Sequence, residues 1–194
     1  MEFTVRGATP ADAEYAEAIC LLYSESAKAR GTGIAERQPA YIRTKMENGN
    51  AIIAFSPDGQ LAGFCYIEVW SHNKYVANSG LIVAPDFRRF GLAKAIKKRV
   101  FQLSREKFPE ARIFGITTSL AVMRINTRLG YEPVTFSELT QDDAFWDGCK
   151  ACTNFDILQR NHRKMCLCTA MLAPSAVEAE QMKLDLSGMI VDNK

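Results

Sequence analysis

Leu81-Ile82-Val83-Ala84-Pro85-Asp86-Phe87-Arg88-Arg89-Phe90-Gly91-Leu92-Ala93 reads as an apolar strand end, a turn, and the start of a long helix at Arg88. The helix continues through Leu92, Ile96, Val100 and Leu103, which recur at helical spacing until Pro109 forbids continuation. A helix N-terminus exposes unpaired backbone N–H groups and the positive end of the macrodipole, which together suit phosphate oxygens. Glycine at 91 lets the backbone approach a diphosphate closely, Ala93 keeps the first turn free of bulk, and Arg88 can add charge-assisted hydrogen bonds.

Upstream of this stretch the apolar period is that of strands. Residues 51–55 and 61–70 flank the turn Ser56-Pro57-Asp58-Gly59, and a second turn at 71–74 leads into 75–83, so three antiparallel strands in succession are predicted. The N-terminal part predicts a strand at 2–6, a helix from Thr9-Pro10 to about Lys28, a loop at 29–38 carrying Gly31 and Gly33, and a second helix from Pro39 to near Gly49. Downstream follow a strand at 112–117, a helix at 120–128 closed by Gly130, and a strand at 131–136. A helical segment at 142–151, a strand at 164–172 and a helix at 176–184 complete the pattern, without internal repeats.

The 194 residues suffice for one buried core, read as a domain over 1–172, with an extension at 137–172, and a tail at 173–194. A net charge of +2 leaves no strong electrostatic footprint for nucleic acid or an anionic membrane. The basic run Lys94 to Arg99, interrupted by Ala95 and Ile96, reads as a solvated helix face. No segment reaches membrane-spanning length and no secretory signal is expected at the N-terminus. Six cysteines then point to a reducing, cytoplasmic compartment.

Arg88, Gly91 and Ala93, placed after a strand and a V-x-P turn, resemble the R/Q-x-x-G-x-G/A signature of the GNAT acetyltransferase superfamily. The likeness extends in element order over residues 2 to 136. It implies an α/β (α+β) GNAT fold, a mixed, mostly antiparallel sheet of six or seven strands flanked by helices and splayed beside the loop. It also implies acetyl-CoA, or another short acyl-CoA, as co-substrate. The amides of Arg89, Phe90, Gly91, Leu92 and Ala93 would hold the pyrophosphate. The strand end Leu81, Ile82 and Val83 would meet the pantetheine arm and acyl carbonyl, through the main chain of Leu81 and Val83.

Further segments resemble the acetyltransferase domain of N-acetylglutamate synthases: Gly33-Ile34-Ala35-Glu36-Arg37, Gly115-Ile116-Thr117-Thr118, Gly130-Tyr131, Ser137-Glu138-Leu139 and Gln159-Arg160. This likeness implies that Arg37 binds a substrate carboxylate, which guanidinium recognises through two parallel bonds. The alternative is a surface arginine paired with Glu36 or Glu47, and Arg124 and Arg128 are weaker candidates.

N-acylation needs a neutral amine, a positioned thioester, oxyanion stabilisation and a proton for the leaving thiolate. Alternation puts Phe64, Tyr66, Glu68 and Trp70 on one strand face, making Glu68 the first candidate base; a solvent-facing carboxylate is the alternative. His72 lies in a turn, and Asn78 and Ser79 are placed to orient water. Many GNAT enzymes carry a tyrosine as acid four residues before the glycine of the G-F or G-Y turn, where this chain has Asn126, which cannot titrate. Solvent and Tyr131 remain as proton sources.

Cys149-x2-Cys152 and Cys166-x-Cys168 supply four soft ligands in two pairs, the composition of a structural zinc site, with His162 as a substitute ligand. Buried reduced thiols, with Cys166 and Cys168 on one strand face, and a redox pair are the alternatives. The resulting expectation is an N-acyltransferase acting on the α-amine of an acidic amino acid such as glutamate, as in arginine biosynthesis. A protein or peptide N-acetyltransferase and a non-catalytic acyl-CoA sensor are its rivals. Small-molecule partners are expected, nucleic acid and membrane are not, and a homodimer is compatible with the reading.

Overall fold

The computed structural model describes residues 1–30 and 37–191. Its strands are β1 (Thr4–Gly7), β2 (Ala51–Phe55), β3 (Leu61–Trp70), β4 (Tyr75–Val83), β5 (Arg112–Thr117), β6 (Glu132–Val134) and β7 (Thr169–Ala173). They form one seven-stranded sheet in the order β1-β2-β3-β4-β5-β7-β6. Only β4 and β5 pair in parallel, so the sheet is mixed and mostly antiparallel. The helices are α1 (Ala16–Arg30), α2 (Pro39–Glu47), α3 (Leu92–Lys107), α4 (Leu120–Arg128), α5 (Asp143–Asp147), α6 (Phe155–Arg160) and α7 (Ala176–Val191).

The run Ala51-Ile52-Ile53-Ala54 is apolar throughout because both faces of β2 are covered. Ile52 and Ala54 face α3, packing with Cys65, Ile67, Leu92, Ile96 and Val100. Ile53 faces the other way, with Phe64, Tyr66 and Ile82, against Ile19 and Tyr23 of α1 and Ile42 and Met46 of α2. Each of these fully buried aliphatic side chains contributes about 1.5–3 kcal/mol relative to exposure.

Local chemistry moved several boundaries. The first predicted helix is a 3-10 segment, Pro10–Tyr15, followed by α1. The Asp12 carboxylate accepts from the Thr9 amide at 2.7 Å and from both terminal nitrogens of Arg6 at 2.7 and 2.8 Å, which ties that segment to β1. The long helix begins at Leu92 and not at Arg88, because Arg89 and Gly91 hold φ of 71° and 80°. Helix α6 was missed: its six residues are too few for a period to show. Strand β7 begins at Thr169, so Cys166 and Cys168 precede it and share no strand face. It runs between β5 and β6, and an ion pair from Arg112 to Glu178 at 2.6 Å secures the start of α7 beside it.

The basic run on α3 is solvated in part only. Lys94 and Lys98 are exposed, whereas Lys97 is 2% exposed. No helix among the described residues is long and apolar enough to cross a membrane.

Candidate active site

Strands β4 and β5 pair only from Tyr75 to Ala77 and then diverge, β5 continuing along β7 through Thr117. Residues 78–83 therefore present one backbone edge to a V-shaped split with no strand partner among the described residues. On its other side β4 carries a bulge: Phe64 pairs with Ile82 and Tyr66 with Ser79, leaving Gly80 and Leu81 opposite Cys65. A bulge frees backbone groups from the ladder and re-aims them. Gly80 has φ +65°, and a Cβ there would overlap the Tyr66 ring and lie 2.6 Å from the Tyr23 hydroxyl oxygen. That hydroxyl donates to the Gly80 carbonyl, joining α1 to the bulge. A glycine inside a strand pattern is the sequence signal that marks such a bulge.

At the open end of the split, Pro85–Phe87 makes one 3-10 turn and the chain enters α3 through Gly91. Among the described residues, the amides of Arg89, Phe90, Gly91, Leu92 and Ala93 have no protein acceptor. Nothing lies within 4 Å of where a Gly91 Cβ would sit. Arg88 donates from Nε to the Val83 carbonyl at 3.1 Å, which anchors the loop to the end of β4. A cleft of about 230 Å3 opens here, bounded by Val83, Phe87, Arg89, Gly91 and Ala93 and closed opposite by Ile125 of α4. Free amides at a helix N-terminus beside a groove suit a diphosphate with an extended arm. Ile82 and Val83 are buried and Leu81 half-buried, so those positions offer main chain rather than side chain to the split.

Arg37, Tyr23, Tyr41, Tyr66 and Glu68 form a second group, on the α1 and α2 side of the sheet. Arg37 donates from Nε to the Tyr66 hydroxyl at 2.7 Å and lies over the Tyr23 and Tyr66 rings at 5.3 and 5.8 Å. Burial works against its charge, but Tyr66, Tyr23 and Glu68 raise its pKa on balance. Glu68 is half-buried where β3 outruns β2, and it accepts from the Tyr41 hydroxyl. Trp70 does not join it, packing instead on Phe145 at 5.5 Å. The other residues quoted around Arg37, Gly33 to Glu36, lie outside the described residues. The sequence places Tyr66 on the Glu68 face without a role and does not single out Tyr23; a tyrosine on an apolar face, whose hydroxyl needs a partner, is the available signal.

The third group is a buried polar seam at the apex of the split. Asn78, the first β4 residue past the pairing with β5, accepts from the Tyr131 hydroxyl at 2.9 Å and donates to Ser104 of α3 at 2.7 Å. Burial pushes the Tyr131 phenol well above its ordinary pKa. Asn126 is not in this chain of bonds: its amide nitrogen meets the Met171 sulfur at 3.6 Å, and its Oδ1 is buried without a partner among the described residues. His72 is exposed in the turn after β3.

Cys149, Cys152, Cys166 and Cys168 surround one cavity of about 20 Å3 together with Ile116, Phe136 and Phe155. Burial, with the neighbouring thiols, pushes Cys149 up to about 11 and Cys168 up to about 12. Among the described residues, no three His, Cys, Asp or Glu side chains stand close enough to hold a metal ion, so these positions do not support the zinc expectation. Cys149, Cys166 and Cys168 are reduced thiols packed with Trp146 and Phe114 in an apolar cluster.

Similar architecture occurs in solved structures. N-acetylglutamate synthase from Neisseria gonorrhoeae, complexed with coenzyme A and N-acetyl-glutamate, superposes with a TM-score of 0.62 at 14% identity, over 90% of this chain and 35% of that one. This chain thus spans about a third of that enzyme's length. Phosphinothricin acetyltransferase from Sinorhizobium meliloti, in complex with AcCoA, gives 0.61 at 17% identity over 90% and 89% of the two chains. The ribosomal-protein-S18-alanine N-acetyltransferase from Escherichia coli gives 0.57 at 13% over 90% and 95%. No curated protein sequence matches. The model of the acetyltransferase (GNAT) family matches residues 17–128, more than half of the chain, from α1 across the bulge, the loop and α3 to the end of α4. With a split sheet, a bulged β4 and free amides at the start of α3, this chain belongs to the GNAT family of N-acetyltransferases.

Proposed function

We propose that the protein transfers an acetyl group from acetyl-CoA to the α-amine of a carboxylate-bearing amino acid, with glutamate as first choice. The observation that carries this reading is the position of Arg37. Its guanidinium is bonded to Tyr66 and stacked on Tyr23, whose hydroxyl is fixed to the bulge at Gly80, which supports a role for this charge in receiving a carboxylate beside the strand that faces the split. The Neisseria gonorrhoeae synthase, solved with N-acetyl-glutamate, shares the architecture.

In this reading the amides of Arg89 to Ala93 take the pyrophosphate. The free edge of β4 aligns the pantetheine arm, and main-chain groups near the bulge stabilise the oxyanion. Glu68, close to Arg37 and bonded to Tyr41, is the candidate base for the acceptor ammonium. Asn78 orients the groups at the apex. Six cysteines in a chain without disulfides among the described residues suit a reducing compartment such as the cytoplasm.

The test is thiol release from acetyl-CoA and from succinyl-CoA against the twenty amino acids and a set of peptides. Turnover with glutamate or another acidic amino acid supports the proposal, and turnover with peptides alone overturns it. Tight CoA binding without turnover on any acceptor would favour an acyl-CoA sensor instead, a reading to which the non-titrating Asn126 lends support.

A further inference from the structure

Lys97 is a lysine folded into the protein where a leucine would be expected. It sits one turn inside α3, is 2% exposed, and takes part in none of the ion pairs or side-chain hydrogen bonds of the described residues. Its Nζ lies 5.4 Å from the centre of the Tyr131 ring. The surroundings locate it. Tyr131 is bonded to Asn78, the first residue of β4 past the point where the strands part. Cys65 of β3 lies within electrostatic range of Lys97, and the Cys65 thiol donates to the Ser79 carbonyl at 3.2 Å. Lys97 therefore stands near two groups that both touch β4, at Asn78 and Ser79, at the apex of the split and just before the bulge.

A lysine ammonium without a carboxylate partner is costly to bury, and the cation–π contact with Tyr131 offsets only part of that cost. Leu or Met in its place would carry no such cost, so a lysine in this environment calls for a partner that arrives during the reaction. The reaction generates such a partner. In the transfer proposed above, on which this inference rests, the thioester end of the donor reaches the apex and a sulfur anion departs there.

We propose that Lys97 is the proton donor to the leaving thiolate, filling the role left open by Asn126. The acceptor amine attacks the thioester carbonyl carbon, a C–N bond forms, and the carbonyl electrons move to oxygen. When the carbonyl re-forms, the C–S bond breaks and its electron pair leaves with sulfur, which takes a proton from the Lys97 ammonium. The proton lost by the acceptor nitrogen passes through the general base and water to restore the ammonium, so no net charge accumulates. Tyr131 is less suited, because its own proton is committed to Asn78 and burial holds it tightly. The titratable groups that face Lys97 are Cys65 from β3 and Tyr131 from the segment after α4, with Arg105 acting on Tyr131 from further along α3. Burial lowers the pKa of Lys97, which makes it a better acid toward a thiolate and predicts an alkaline limb in kcat that belongs to this residue.

The test uses the full chain and Lys97→Met, which preserves bulk in the core. First, the ultraviolet absorbance of the CoA thiolate is titrated with pH while CoA is bound. A nearby ammonium lowers the thiol pKa by about one unit or more in the native protein, and the substitution returns it to the value of free CoA. Second, kcat should fall roughly 100-fold with the KM for acetyl-CoA changed less than about threefold, and the alkaline limb should disappear. Third, an acetyl thioester with a more acidic thiol should recover most of the lost rate in the variant. Unchanged thiol titration in Lys97→Met, or an equal loss with both thioesters, overturns the assignment. Should native protein fail to bind CoA, the donor-site reading itself falls, an outcome distinct from intact CoA binding with an unaltered thiol.

Discussion

The Nε of Arg37 donates to the hydroxyl of Tyr66 across 2.7 Å, and this bond sets the direction of the one guanidinium proposed to meet the acceptor. The Tyr66 phenol is itself pushed up to about 12, chiefly by burial, so it stays a neutral acceptor at any working pH. Arg37→Ala should raise the KM for an acidic amino acid by roughly 30-fold or more, the loss typical of an unpaired charged group, with acetyl-CoA affinity unchanged. Tyr66→Phe should cost less, since it releases the orientation and keeps the charge. Steady-state kinetics with each substrate varied in turn checks both.

Two glycines near the donor site have φ close to each other but different surroundings. Gly80→Ala drives a methyl group into Tyr66 and Tyr23 and should lower stability by about 2 kcal/mol or more, reducing both CoA binding and turnover. Gly91→Ala meets no protein atom, so its stability cost should stay near the roughly 1 kcal/mol of a strained left-handed residue. Its methyl group faces the proposed pyrophosphate site, and CoA affinity should fall at least tenfold. Thermal melts paired with CoA titrations separate the two outcomes.

Asp12 contributes a pH-dependent share of stability. Its bond to Arg6, followed by bonds from Thr9, holds the carboxyl at about 2 in the folded state, below its ordinary value. A depressed folded pKa gives stability that is complete above the unfolded value near 4 and is lost as pH falls through about 2. Because Arg6 is partly exposed, the contribution is about 1–2 kcal/mol. Denaturant melts of the native protein and Asp12→Asn at pH 6 and pH 2.5 should show the difference shrinking at the lower pH.

The cysteine cluster should be chemically quiet in the folded chain. Cys149 at about 11 and Cys168 at about 12 carry little thiolate at pH 8, so alkylation there should be at least tenfold slower than in denaturant. Peptide mapping after a timed pulse of iodoacetamide gives the rates. Native rates equal to the denatured ones at either position would show the packing to be wrong.

Short-range order was written plainly in the chain. The Ser56 to Gly59 turn, the period of the three following strands, the spacing from Leu92 to Leu103 and the stop at Pro109 depend on neighbours within a few residues, and each appears near its predicted place. The free amides around Gly91 belong to the same class, because a helix start is a local event. What lay out of reach was contact between distant segments. Lys97 sat in a basic run that reads as solvated, and only the packing of α3 against β3 and Tyr131 turns it inward. Arg37 could be named from the likeness of residues 33–37 to the N-acetylglutamate synthases, but Tyr23 and Tyr66, the side chains that hold it, come from α1 and β3.

The same division separates donor from acceptor. A strand, a turn and a helix start in unbroken succession carry the likeness to the family, so the sequence alone determined the family and points to the loop proposed to take the donor's pyrophosphate. The split between β4 and β5 was decided only in three dimensions, because it depends on β7, arriving from residue 169 onward, taking the far side of β5. Strand register and the burial of single polar side chains are properties of the whole core, whose energy no local window contains.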